Sequence, residues 1–137
     1  MAASDSSRQH VIIQAAAGLI LLYGAVALVN ALTMQAQAGW GEPWALGRAL
    51  LRLLISGLVA WGLYRRARWA WWVGLAWSFF GLFLGASAML VFERGDIHWL
   101  APSRAQLPLG VMLLSLGGAI ALLITPAGRA AFRPGDA

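Results

Sequence analysis

Two arginines, Arg48 and Arg52, stand inside an otherwise apolar stretch and are the residues best placed to do chemistry. They are four positions apart, so a helix puts both on one face, with Ser56 one turn further along. A guanidinium stays charged in proteins and can grip a phosphate or a carboxylate through two parallel hydrogen bonds. The arrangement therefore predicts either structural pairing, including snorkelling towards headgroups, or a site for a lipid headgroup or small anion. Candidate structural partners are the carboxylates of Glu42, Glu93 and Asp96.

Asn30 and Gln14 are the amides within the first apolar stretch. Hydrogen bonding to a neighbouring helix is the default interpretation, and such a bond contributes about 0.6 kcal/mol on average. Alternatively, Asn30 lines a polar cavity beneath Arg48 and Arg52. In that second interpretation the three side chains form one lipid- or anion-binding site, or the centre of a small transporter.

Catalytic, metal and cofactor patterns are missing from the sequence. The chain has no cysteine, and its serines, threonines and histidines show no spacing that marks a nucleophile and its base. His10 and His98 are predicted on opposite sides of a membrane, although His98 and nearby carboxylates could form a weak metal site. We expect no enzyme, no cofactor and no metal centre.

The positive charge of the chain comes from arginine alone. The net charge is +5 without a single lysine, and 61% of the residues are apolar, against 45–50% in typical soluble chains. A basic balance can indicate nucleic-acid binding, but here the arginines flank apolar stretches instead of covering a polar surface. Anionic lipid headgroups are therefore the expected counter-charge, and nucleic acid is not an expected partner.

Four apolar stretches, at 11–34, 44–64, 69–92 and 107–125, define the architecture. About 20 apolar residues in a helix cross the roughly 30 Å hydrocarbon core of a bilayer. The sequence therefore predicts an all-α integral membrane domain over 11–125, a bundle of four antiparallel transmembrane helices. Residues 1–10 form a polar, loose segment, and residues 126–137 form a short basic tail.

The distribution of arginine predicts the orientation of these helices. One side of the membrane receives Arg8, Arg65, Arg66, Arg68, Arg129 and Arg133, whereas the other receives Arg94 and Arg104. Lys and Arg accumulate in short cytoplasmic loops. Both termini and the turn between the second and third helices are therefore predicted to be cytoplasmic, in a bacterial inner membrane.

A signal peptide is the rival interpretation of the N-terminus. Residues 36–38 read Ala-Gln-Ala, the small-x-small pattern of a signal-peptidase site. The preceding apolar stretch is about twice the usual length of a signal-peptide core, however, and its leader carries one arginine offset by Asp5. Retention of this stretch as a helix is the expectation.

Small residues form a stripe on the third predicted helix. The stripe consists of Gly74, Ser78, Gly81, Gly85 and Ala88, at steps of four, three, four and three. Weaker stripes are Ala17, Gly24 and Ala31 in the first helix, and Gly110, Gly117 and Ala121 in the fourth. Membrane helices associate through close approach at such residues. The stripes predict either packing within one bundle or a surface for self-association or a partner protein.

An arginine-rich turn followed by tryptophans marks one membrane interface. Its members are Arg65, Arg66, Arg68, Trp69, Trp71 and Trp72, in the segment Gly-Leu-Tyr-Arg-Arg-Ala-Arg-Trp-Ala-Trp-Trp over 62–72. Tryptophan and arginine are typical interfacial anchors. The segment resembles an element of small four-helix bacterial inner-membrane proteins of unknown function. The resemblance covers under a tenth of the chain and implies topology only.

These observations lead to two functional hypotheses. The first is a small multi-pass membrane protein that acts as an accessory subunit or self-associates, with membrane lipids and a protein partner or further copies as its partners. The alternative is a small transporter, or a lipid- or anion-binding protein, that uses Arg48, Arg52 and Asn30.

Overall fold

The computed structural model describes residues 2–38, 43–93 and 106–132, with side chains described over 7–37, 44–87, 90 and 107–132. Within these ranges the chain is all-helical and contains no strand. The helices are α1 (Ala2–Ala38), α2 (Pro43–Tyr64), α3 (Arg68–Glu93), α4 (Gln106–Ile124) and α5 (Pro126–Ala130).

Four of these helices, α1 to α4, are long and apolar enough to cross a membrane. Each coincides with one of the four apolar stretches, so the prediction of an all-helical protein with four membrane-length helices is confirmed. Their candidate membrane spans are 31, 21, 20 and 18 residues long, so each is close to or above the roughly 20 residues that span a hydrocarbon core.

The two ends of the chain differ from expectation. Residues 2–10, expected to be loose, continue α1. Helix propagation adds one hydrogen bond for each residue fixed, and Asp5 near the N-terminus suits the helix dipole. After α4, the hydroxyl of Thr125 accepts a hydrogen bond from the N–H of Gly128, and Pro126 occupies the first turn of α5. Thr125 thus caps a short helix that the sequence analysis did not predict.

The four long helices form a ring in which chain neighbours are also spatial neighbours. Helix α1 packs along α2 and α4, and α3 packs along α4 and, less extensively, α2. Of the four, α3 has the smallest share of residues buried inside the chain. The bundle is therefore closed by the pairing of the first and last long helices.

One end of the bundle gathers three distant parts of the chain. The guanidinium of Arg66 donates to Nδ1 of His10 at 3.2 Å, and the indole N–H of Trp71 donates to the carbonyl oxygen of Leu123 at 3.1 Å. Phe132 packs against the buried apolar cluster that includes Leu63 and Leu123. We call this the arginine end, defined by His10, the 65–67 turn and Phe132.

The apolar core lies towards the arginine end. Its members from the long helices include Ile13 and Ile20 on α1, Val59 and Leu63 on α2, and Leu123 on α4. Ile20, Leu63 and Leu123 are completely buried. Two cavities lie in the half of the bundle away from the arginine end.

The 65–67 turn follows the hydrogen-bond pattern of a Schellman motif. The N–H of Ala67 donates to the carbonyl of Gly62 at 3.0 Å, and the N–H of Arg66 donates to the carbonyl of Leu63 at 2.9 Å. These two bonds satisfy carbonyls that the end of α2 would otherwise leave unpaired. Arg66 takes the left-handed position, with φ 55°. The motif ends α2 and allows α3 to begin at Arg68 without a longer loop.

Candidate functional site

Arg52 lines a small cavity in the half of the bundle away from the arginine end. The cavity has a volume of about 130 Å³ and is bounded by all four long helices. Tyr23 on α1 faces it beside Arg52, and Gly81 and Gly85 contribute the α3 wall. The remaining wall consists of leucine and methionine side chains, so Arg52 and Tyr23 supply its polar groups.

Arg48 lies one turn from Arg52 but in a different environment. Its side chain is exposed, whereas that of Arg52 is half-buried, and only Arg52 lines the cavity. The two arginines share a helix face as the sequence predicts, but they are not equivalent. Arg48 is free to extend along the bundle surface towards headgroups, whereas Arg52 is held among the helices.

The predicted carboxylate partners cannot be placed against these arginines. Glu42, Asp96 and the side chain of Glu93 lie outside the described residues. Within the described part of the chain, no hydrogen bond or ion pair joins Arg48 or Arg52 to another side chain. The sequence adds that no aspartate or glutamate occurs between residues 43 and 92 or between 97 and 135. Structural pairing therefore stays a prediction.

Asn30 lines a second, larger cavity between α1 and α4, with a volume of about 680 Å³. Its walls are mainly apolar and include Val26 and Val111, with Thr33 and Gln37 on the same side as Asn30. The two cavities share no lining residue. The structure thus places Asn30 apart from Arg52, in a groove between two helices.

The small residues of α3 face the interior of the chain. A Cβ added at Gly81 would lie 2.6 Å from a methyl of Leu116, and one added at Gly85 would lie 2.6 Å from a methyl of Leu113. Gly74 and Ser78 are buried, while the side-chain environment of Ala88 is not described. The stripe therefore packs against α4 at Gly81 and Gly85, and against Val59 of α2 and Leu123 of α4 at Gly74.

The weaker stripes divide between inside and outside. Gly24 on α1 lies against α2, because a Cβ there would be 3.1 Å from the backbone Cα of Leu53. On α4 the situation is the opposite. A Cβ added at Gly110 or Gly117 would meet no atom of the described residues within 4 Å, and Ala121 is exposed. The α4 stripe therefore faces away from the bundle.

The predicted interface anchors have distinct environments. Arg65 places its guanidinium 4.4 Å from the centre of the Trp61 ring, a cation–π contact. Trp69 and Trp72 are exposed, as are Arg65, Arg66 and Arg68. Trp71 differs: it is half-buried and hydrogen-bonded to Leu123. Its indole satisfies a carbonyl at the end of α4, a role that spacing alone did not indicate.

Two serines of the bundle interior carry hydroxyls that sequence reasoning did not single out as unusual. Ser56 and Ser78 are completely buried, and neither hydroxyl has a hydrogen-bond partner among the described residues. Ser56 follows Arg52 by one helical turn, and Ser78 precedes Gly81 by three residues. Polar groups thus continue from the level of the Arg52 cavity into the packed half of the bundle.

The histidines are not brought together by the described structure. His10 lies at the arginine end beside Arg66 and Tyr64, and His98 lies outside the described residues. Among the side chains that are described, no three histidine or acidic groups cluster as metal ligands would. The weak His98 site remains a prediction.

The class that these features define is an all-helical protein with four helices of membrane-spanning length and apolarity. No protein-family model, curated protein or solved structure matches this chain.

Proposed function

We propose that the protein is a multi-pass protein of the bacterial cytoplasmic membrane that acts by associating with itself or a partner within the bilayer. Its four long helices run antiparallel, with both termini and the 65–67 turn in the cytoplasm. The contacts that gather His10, Arg66 and Phe132 at one end support the alternation of direction, because they join the start of α1 to the end of α2 and the end of the described chain. The concentration of arginine at that end supports its cytoplasmic location.

The outward stripe on α4 carries the proposal of self-association. Gly110, Leu114, Gly117 and Ala121 follow one another at steps of four, three and four, so they share one face of the helix. The glycines open onto empty space, and Leu114 is 78% exposed. A protruding leucine between two glycines is a knob next to two holes. Because lipid tails are as apolar as leucine, the hydrophobic effect does not drive helices together in a membrane. Van der Waals contact at small residues, where two helices approach closely, stabilises their association instead.

A second copy of the chain is the occupant that this surface fits best. In a two-fold symmetric dimer the same stripe is used twice, and Leu114 of each copy would enter the space beside Gly110 or Gly117 of the other. The α3 stripe is not available for this purpose, since Leu113 and Leu116 of the same chain already occupy it.

Replacing Gly117 with leucine tests the proposal. We expect Gly117→Leu to abolish energy transfer between fluorescently labelled copies in lipid vesicles, because the larger side chain holds the two helices apart. The matched control is Gly18→Leu on α1, where a Cβ also meets no atom within 4 Å. This control should transfer energy like the unchanged protein. Far-UV circular dichroism should show the same helix content in all three.

Native mass spectrometry of the detergent-released protein separates the two forms of association. Two or more copies in one ion, lost in Gly117→Leu, support self-association. A different protein bound in fixed ratio and lost in the same variant assigns the stripe to a partner. A protein that is monomeric in vesicles and in detergent, with no bound partner, contradicts the proposal.

A further inference from the structure

The cavity beside Arg52 places a charged side chain deep in the bundle, and self-association does not explain this feature. Arg52 lies eight residues beyond Trp44, the first described side chain of α2, which corresponds to roughly 12 Å along a helix. An arginine placed near the centre of a membrane helix costs about 2.5–3.5 kcal/mol on insertion scales. A membrane arginine normally faces the bundle interior or a polar cavity and finds a partner there. Arg52 lines such a cavity. What has to be identified is the group that pairs with its guanidinium there.

No carboxylate is among the described residues that line the cavity. The helical part of the bundle around the cavity contains no aspartate or glutamate. Glu93 ends α3, eight residues or roughly 12 Å of helix beyond Gly85 of the cavity wall. Glu42 and Asp96 lie outside the described residues. Within the described part of the chain, Arg52 therefore has no carboxylate partner.

The cavity is closed on the side of the arginine end. Leu116 forms part of its wall and is completely buried. Beyond it, Val59, Leu63 and Leu123 fill the described core, each at most 1% exposed. Side chains packed in this way leave no passage along the described interior. The cavity is thus suited to holding a group and not to conducting one across the bundle.

We propose that this cavity binds a single oxyanion group of the phosphate type, held by the guanidinium of Arg52 and the hydroxyl of Tyr23. The guanidinium offers two parallel N–H donors to two oxygens of a phosphate. The phenol of Tyr23 offers an O–H donor from the facing helix. A volume of about 130 Å³ has room for one such group, since a water molecule takes roughly 30 Å³ in the liquid.

Two sources could supply this chemistry: the headgroup of an anionic phospholipid, or a free phosphate ion. Gly81 and Gly85 let Leu113 and Leu116 pack closely against α3, and these two leucines form part of the apolar wall of the cavity. The site does not depend on the association of α4, whose stripe faces away from the bundle. A variant that loses one property should therefore keep the other.

Binding is measured on the purified full-length protein with two probes. One probe is phosphatidylglycerol, added in mixed micelles and detected as a bound adduct by native mass spectrometry. The other is inorganic phosphate, added to lipid-free protein in a neutral detergent and measured by titration calorimetry. We expect Arg52→Gln to weaken binding by about tenfold or more, because it removes a charge-assisted hydrogen bond, and Tyr23→Phe to weaken it by several-fold.

Arg48→Gln is the matched control, since it makes the same change one turn away at an exposed position. Binding that is retained in Arg48→Gln and lost in Arg52→Gln supports the site. Retention of phosphatidylglycerol alone assigns it to a lipid headgroup, and binding of phosphate alone or its displacement of the lipid assigns it to a free ion.

Equal weakening by Arg48→Gln and Arg52→Gln would overturn the proposal, because it would indicate general attraction of anions to the charged helix. Failure of the unchanged protein to bind either probe would do the same. Arg52→Gln is checked for folding by circular dichroism. If it does not fold, Tyr23→Phe, which removes a single oxygen atom, decides the matter: unchanged binding in that variant contradicts the proposal.

Discussion

Arg66 occupies a backbone conformation that glycine usually supplies at the end of a helix. Its φ of 55° lies in the left-handed region, where an L side chain costs about 1–2 kcal/mol. The structure offers little in compensation, because the contact with His10 is between two exposed side chains. The conformation is held by the two backbone hydrogen bonds of the Schellman motif.

Substitution of Arg66 by glycine should therefore stabilise the protein. We expect Arg66→Gly to raise the free energy of unfolding by about 1 kcal/mol, since glycine adopts the left-handed region without the steric cost. Denaturant titration in mixed micelles, followed by circular dichroism, measures this. The matched control is Arg65→Gly, where φ is negative; it should lower stability by up to about 1 kcal/mol. A loss of stability in Arg66→Gly as large as that in the control would contradict the argument.

The environment of Trp71 could not be predicted from its residue type alone. The sequence assigns Trp69, Trp71 and Trp72 to one interfacial belt, because all three follow the arginine-rich turn. At about 100° per residue, however, Trp71 lies about 100° from Trp72 and about 160° from Trp69 around the helix, so the three cannot all face the same surroundings. Trp72 is 69% exposed, whereas Trp71 binds the carbonyl of Leu123 on α4. The partner is 52 residues away, and no local pattern identifies it.

At the scale of helices, the crossing of α1 and α2 depends on Gly24. A Cβ at this position would lie 3.0 Å from the Cβ of Ser56 and 3.1 Å from the Cα of Leu53. These atoms belong to or adjoin the backbone of α2, so they cannot move aside by a side-chain rotation. The two helices would have to separate along their contact.

Gly24→Ala should consequently destabilise the bundle by about 1–3 kcal/mol, the usual cost of overpacking. Gly18→Ala on the same helix is the control, because its Cβ would meet no atom within 4 Å and alanine favours a helix over glycine by up to about 1 kcal/mol. Unfolding in mixed micelles compares the two. An equal response of both variants would show that the α1–α2 contact is looser than described.

The number of long helices could be predicted from the sequence, but their mutual packing could not. Length and apolarity depend on each segment alone, and these features were sufficient for the four membrane-length helices. The stripe of Gly81 and the stripe of Gly117 look alike in sequence, yet one packs against α4 and the other faces outward. That difference depends on how each helix is rotated within the bundle, and rotation follows from contacts between distant segments.

Helix α1 also contributes to the core through contacts with segments distant in the sequence. Four of the ten residues of the buried cluster, Ile13, Ala16, Ala17 and Ile20, belong to it. Cleavage after the Ala-Gln-Ala sequence at 36–38 would remove them and expose the facing side chains of α2 and α4. Retention of α1, which its length predicts, would keep these contacts in place, and it stays a prediction.

In the described part of the bundle, the buried apolar cluster and the two cavities lie at different levels along the bundle axis. The apolar cluster lies towards the arginine end, and both cavities lie in the other half. If the arginine end is cytoplasmic, as we propose, the closed half faces the cytoplasm and the Arg52 cavity belongs to the outer half. The orientation of the chain thus decides which leaflet could supply a headgroup to Arg52.

Single-cysteine labelling tests this orientation, and the chain is suited to it because it has no cysteine of its own. Ser7→Cys and Ala67→Cys place a thiol at the arginine end, and Gln37→Cys places one at the opposite end; none of them alters the arginine count. With a membrane-impermeant maleimide and intact spheroplasts, we expect Gln37→Cys to react at once. Ser7→Cys and Ala67→Cys should react only after the membrane is opened.

Two other labelling results would contradict this prediction, one by inverting the orientation and one by excluding the antiparallel bundle. Reaction of Ser7→Cys and Ala67→Cys in intact spheroplasts, with Gln37→Cys protected, would invert the orientation and place the Arg52 cavity in the cytoplasmic half. Reaction of Ser7→Cys without Ala67→Cys would put the start of α1 and the end of α2 on opposite sides. That result cannot be reconciled with the 3.2 Å contact between His10 and Arg66, and it would remove the antiparallel bundle on which both proposals depend.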